Sequence, residues 1–168
     1  MRELHPYVLI NVNLNRRMSL NHDFLLLSRT ECAPQDYLKL FRHPDAIHVH
    51  DDLLNYIADS LRWVPTLNPA RDEHGFGLNF HGPTTIFADG AGLAAKIFRT
   101  WAQLFRLGPE HLSLTASWTE VVGKLNSGHF VRLHFERDLI CSSFEKIAIF
   151  CDRVVTSNGA HFIAHLGI

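Results

Sequence analysis

Gly75–Trp118, GFGLNFHGPTTIFADGAGLAAKIFRTWAQLFRLGPEHLSLTASW, packs the signals of two strands, a long helix and a further strand into one run. Phe76–Phe80 alternates apolar with small or polar residues, His81-Gly82-Pro83 carries turn chemistry, and Thr84–Phe87 reads as the returning strand of a hairpin. Asp89 is placed to cap the helix that follows. Leu93, Ala94, Ile97, Phe98, Trp101, Leu104 and Phe105 form a wide apolar stripe opposite Lys96, Arg99, Gln103 and Arg106, so this helix should bury one side only. Gly108-Pro109 ends it. Gly90 and Gly92 lack the Lys of a phosphate-binding turn, and Asp89 would repel a phosphate, so both glycines read as structural. From His111 to Trp118, Leu112, Leu114 and Ala116 alternate with Ser113, Thr115 and Ser117, the pattern of a strand with one wet face.

Downstream, Gly123–Gly128 turns the chain back into a partner strand in which Phe130, Arg132, His134 and Glu136 alternate with Val131, Leu133 and Phe135. Asp138 can cap a second long helix with Ile140, Phe144, Ile147, Ala148, Cys151 and Val154 or Val155 inward, ended by Asn158-Gly159. His161–Ile168 reads as a final strand. Upstream, Tyr7–Asn15 reads as a strand, Leu20–Ser28 as either strand or helix, and Pro34–Phe41 as a short helix with Pro at its first turn. Asp51 or Asp52 caps a helix with Leu53, Ile57 and Leu61 on one stripe, and Trp63–Gly75, with two prolines and no periodicity, reads as a loop. The sum is an α+β fold: a mostly antiparallel sheet, two long helices packed on one face, and shorter N-terminal helices, in a single domain over residues 1–168.

The chain is 46% hydrophobic, enough for a continuous core, and its net charge of −1 gives no global field of the kind a nucleic-acid-binding domain carries. Three cysteines, Cys32, Cys141 and Cys151, make no close-spaced metal motif, and their odd number fits a reducing cytosol better than a disulfide framework. The first residues lack the apolar run of a signal peptide, which also points to the cytosol.

Chemistry-bearing residues are sparser than the twelve histidines suggest. His48-Val-His50 in an extended segment would put both imidazoles on one face, with carboxylates following, and is the best metal candidate, but no further histidine completes a binuclear hydrolase pattern. No cofactor is expected, and no catalytic residue stands out. The most lopsided charge run is Pro44–Leu61, where Asp45, Asp51, Asp52 and Asp59 occur with no Lys or Arg. It reads either as a solvated helix face with caps or as an acidic contact surface for a basic partner. Together with Arg71, Asp72, Glu73 and His74 in the loop that follows, these acids are the candidate partner-binding residues.

Gly77–Ile86, the helix with Trp101 ending near Phe105, the strand Leu112–Ser117, the helix spanning Phe144–Cys151 and the terminal His165-Leu-Gly-Ile168 resemble a group of small bacterial immunity proteins. Those are encoded beside polymorphic or contact-dependent growth inhibition toxins. The resemblance covers residues 76–168 and implies a cytosolic, non-enzymatic protein that binds one cognate toxin domain and blocks its active site or substrate surface. Such toxins are frequently nucleases, which are basic. It implies no direct contact with nucleic acid or membrane. The alternatives are a metal-dependent hydrolase centred on His48 and His50, or an interaction domain without a toxin partner.

Overall fold

The computed structural model describes residues 20–40, 43–120 and 128–168. The expected strand Tyr7–Asn15 and most of the turn before Gly128 lie outside the described residues. At the centre of the main sheet is β8 (His161–Leu166), buried on both faces along nearly its whole length. Its short apolar run is what a central strand requires. On one side it pairs with β1 (Asn21–Ser28), which pairs in turn with β2 (Ile47–His50). On the other side it pairs with β5 (Pro83–Ile86), followed by β3 (Pro65–Asn68) and the edge strand β4 (Glu73–Phe76). The order β2-β1-β8-β5-β3-β4 makes a six-stranded sheet, antiparallel at every step.

One face of this sheet is covered by α3 (Ala88–Arg106) and α4 (Arg137–Thr156), which pack against each other. Phe24 from β1 meets Phe98 of α3 edge-on at 5.7 Å between ring centroids, and Phe98 meets Phe144 of α4 at 5.3 Å. Ile86, Ile163, Ile140, Ile147, Ala148, Cys151 and Val154 complete the same core. Two short helices, α1 (Asp51–Tyr56) and α2 (Ala58–Leu61), close one flank with Leu53, Leu54, Ile57 and Leu61 buried. The opposite sheet face holds a second, smaller cluster of Leu25, Phe162, Ala164 and Leu166, covered by Leu40 and Tyr37 of a 3-10 helix at Pro34–Leu40. The fold is therefore the expected α+β class, with both long helices on one face and the shorter helices preceding them.

Between α3 and α4 the chain forms a two-stranded hairpin of β6 (His111–Glu120) and β7 (Gly128–Glu136). Leu112, Leu114 and Phe135 seat its base on the main core.

Several local expectations change. Phe76–Phe80 and Thr84–Phe87 do not form a hairpin: β4 ends at Phe76, and β3 lies between β4 and β5. The hairpin is instead β3–β4, within the segment read as a loop. Pro65 sits at the first position of β3, where a strand tolerates it, and the four-residue strands are too short to show an alternation. The helix caps also lie one or two residues before the expected aspartates. His50 caps α1, its Nδ1 accepting from the Asp52 backbone N–H at 3.2 Å, while Asp51 and Asp52 lie in the first turn. Asp89 and Asp138 are likewise first-turn residues, where a carboxylate still complements the helix dipole. Leu104, expected on the buried stripe, is exposed.

Gly90 has a packing cause. A Cβ there would lie 2.1 Å from the Pro65 carbonyl oxygen and 3.1 Å from Ile86 Cγ2, so only glycine lets the start of α3 rest on β3.

Candidate functional site

The registers of β1 and β8 assemble a polar chain inside the core. Phe24 pairs with His165, so His22, two residues before Phe24 on the same face, is the diagonal neighbour of His165. Both imidazoles are fully buried, and His22 Nδ1 lies 2.9 Å from His165 Nε2. On its other side His22 Nε2 lies 2.8 Å from Asp51 Oδ1, and Asp51 Oδ2 accepts from the Asn55 side-chain amide at 2.9 Å.

The proton positions follow from the partners. A carboxylate only accepts, so His22 carries its proton on Nε2 and presents a bare Nδ1, to which His165 Nε2–H donates. His165 Nδ1 is left as a buried lone pair with no hydrogen-bond partner among the described residues. Burial lowers the His22 pKa, with Asp51 opposing that shift, and burial followed by the nearness of His22 puts His165 well below the usual histidine range. Both rings are neutral at pH 7. Only Asp51, with its side chain 17% exposed, connects the chain to solvent.

His48 and His50 do share a face of β2, as the alternation required, but their ring nitrogens are engaged separately. His48 Nδ1 lies 2.6 Å from Asp23 Oδ1, and His50 Nδ1 is the α1 cap. Among the described residues the two are not joined by a third ligand; the one three-residue grouping at ligand spacing is Glu110, His111 and Glu136, all exposed. Cys141 and Cys151 behave as small buried apolar groups: Cys141 Sγ donates to the Ala102 carbonyl at 3.3 Å, and burial pushes the Cys151 thiol up to about 12.

The candidate partner-binding residues fall into separate places. Asp51 is committed to the buried chain. Asp45 is exposed ahead of β2, and Asp59, 95% exposed on α2, faces Arg62 at 3.6 Å. Arg71 and Asp72 form the β3–β4 turn, with Asp72 in the left-handed region at φ 54°. Glu73 and His74 line a groove of about 200 Å³ with Phe76 and Asn79. This groove lies at the β4 edge of the sheet and Asp45 at the β2 edge, separated by five strand spacings, about 24 Å. They do not make one patch.

Within the run Pro44–Leu61, Asp52 is the acid that lines a cleft. With Asn55 and Tyr56 it forms one wall of a cleft of about 370 Å³, whose other wall is Thr115 and Ala116 of β6. Those two residues belong to a bulge in the hairpin. Up to Thr115, opposite Arg132, the ladder is regular; beyond it Trp118, not Ser117, stands opposite Phe130. One extra residue reverses the faces of everything after it. Trp118 would otherwise follow Leu112, Leu114 and Ala116 inward; the bulge instead turns it onto the outer face. There it meets Phe130 edge-on at 5.0 Å, with the two side chains 51% and 54% exposed. Gly128 makes room for the indole, since a Cβ at that position would be 2.5 Å from Trp118 Cε2.

No protein-family model, curated protein or solved structure matches this chain. Its site is therefore read from its own geometry. Two parts of that site escape the sequence pattern. His22 and His165 could have been suspected as histidines at inward strand positions, two residues from Phe24 and Ile163 respectively. The exposure of Trp118 has no such signal, because a bulge leaves no mark in the alternation of β6.

Proposed function

We propose that the protein is a non-catalytic immunity protein of the bacterial cytosol, which binds a cognate toxin domain through the face formed by α1 and the β6–β7 hairpin and blocks its active site or substrate surface. The observation that carries this reading is the bulge that turns Trp118 outward beside Phe130 and at the same time walls the cleft at Asp52. Exposed aromatic side chains next to a concave, partly charged surface are the usual anchors of a protein interface. The Asp52 carboxylate with the Tyr56 ring beside it suits an arginine or lysine of a basic toxin, by charge-assisted hydrogen bonding and cation–π contact. The imidazoles of the Asp51–His22–His165 chain are closed off from a substrate, so this chain is read as a structural element behind the binding face. The resemblance of residues 76–168 to immunity proteins points the same way. No helix of the described residues is long and apolar enough to cross a membrane.

Mixing the purified chain with the toxin domain encoded beside its gene is expected to abolish toxin activity at a stoichiometric ratio. Replacing Trp118 and Phe130 together by alanine is expected to weaken the complex about 30-fold or more, at about 2 kcal/mol for a well-anchored aromatic, while leaving the melting temperature nearly unchanged. Full inhibition by the double variant would move the contact surface elsewhere. A wild-type chain that leaves the toxin active would end the immunity reading.

A further inference from the structure

We infer that the Asp51–His22–His165 chain is an acid-sensitive latch on α1, so that lowering the pH loosens one wall of the Asp52 cleft before the rest of the fold. This rests on the reading of that cleft as the partner-binding surface.

The geometry sets the latch. Asp51 opens α1 and is held by His22 of β1, which is held by His165 at the centre of the sheet. Asp51 also holds Asn55, which lines the cleft next to Asp52. The side chains that position this wall of the cleft are thus tied into the core through two neutral imidazoles.

The chain has one vacant lone pair, His165 Nδ1, and it is fully buried without a partner among the described residues. A proton placed there would create a buried charge with an unpaired N–H. A proton placed on His22 Nδ1 would set two donors against each other unless His165 moved its own proton to Nδ1, which would leave that N–H buried and unpaired. The closed chain therefore cannot take up a proton without either a broken hydrogen bond or a buried unpaired N–H beside a buried charge. The other titratable groups acting on His22 are Asp23, on its own strand, and His81, in the segment before β5. Asp23 favours the protonated ring and His81 disfavours it, but Asp23 is already paired with His48.

Opening α1 and its contacts lifts this restriction. Exposed histidines protonate below about pH 6.5, whereas the closed chain stays neutral to lower pH. Well above about pH 6.5 neither state binds these protons and the latch holds in full. As the pH falls below 6.5 the open state gains protons that the closed state cannot, and opening is favoured about tenfold per pH unit for each histidine exposed.

Amide hydrogen exchange of the full chain between pH 7.5 and 5.5, corrected for intrinsic rates, tests this without any partner. Protection of Leu54–Tyr56 is expected to hold down to about pH 6.5 and then to fall about 10- to 100-fold per unit, ahead of the α3 amides around Phe98. The ring nitrogen shifts of His22 and His165 are expected to stay those of neutral, Nε2-protonated imidazoles over the range in which the fold persists. In His165→Gln, whose side-chain amide can still donate to His22, the α1 fall should drop to at most about tenfold per unit. Parallel loss of protection in α1 and α3, or either histidine titrating near its ordinary value in the closed protein, would overturn the latch. If His165→Gln does not fold, the wild-type exchange and nitrogen shifts still decide. A latch seen in a chain that binds no toxin domain would stand, and only the immunity reading would fall.

Discussion

His22→Ala is expected to cost about 3–5 kcal/mol of stability, read from urea denaturation at pH 7.5. The imidazole is fully buried and supplies two hydrogen bonds at once. Its removal strands the His165 Nε2–H inside the core, a penalty of about 1–3 kcal/mol, and takes a donor from Asp51. The vacated volume beside the Phe80 and His165 rings adds a cavity term of similar size. Water reaching the partly exposed Asp51, and the retained bond from Asn55, hold the carboxylate's share of the loss down. Asp51→Asn is the informative comparison. Its side-chain oxygen can still accept from His22, so it should cost only about 1 kcal/mol. A His22→Ala loss below about 1 kcal/mol would mean that the chain does not hold β1, β8 and α1 together.

Phe144→Ala is expected to destabilise by about 3–5 kcal/mol, the range for emptying a buried phenylalanine site. Phe144 of α4 packs directly against α3: its ring meets Phe98 at 5.3 Å and Phe105 at 6.0 Å. Since α3 and α4 together cover the sheet, a cavity between them weakens both helix–helix and helix–sheet packing. Leu139→Ala, exposed on the same helix, should change stability by no more than about 0.5 kcal/mol when measured in parallel. Equal losses in the two variants would contradict the assignment of the core.

The two long helices were legible because each repeats its apolar stripe over about five turns, enough for the 3.6-residue period to dominate. Leu20–Ser28 was ambiguous between strand and helix because a short apolar run carries no decisive period; its pairing with β8 makes it β1. The β3–β4 hairpin went unseen because each strand is four residues long and the segment carries Pro65, Pro69 and Gly75, which punctuate loops as readily as short strands. Sheet order was out of reach, since β8 pairs with β1 from the N-terminal part of the chain and with β5 from its middle. The same non-locality hid the buried chain: His22 and His165 are 143 residues apart, and only the strand register brings them together. The acidic run was visible as composition, but its division among a half-buried Asp51, a cleft-lining Asp52 and an outlying Asp59 is a property of the fold.

That division gives the most direct measurement of the proposed binding face. Calorimetric titration of the proposed toxin partner should be run at low and at physiological salt against the wild-type chain, Asp52→Lys and Asp59→Lys. Reversing Asp52, which faces the cleft, is expected to weaken binding at least about tenfold and to flatten its salt dependence, whereas reversing Asp59 should leave the affinity within about twofold. Equal effects from the two reversals, or none from Asp52, would contradict a partner seated between α1 and the β6–β7 hairpin.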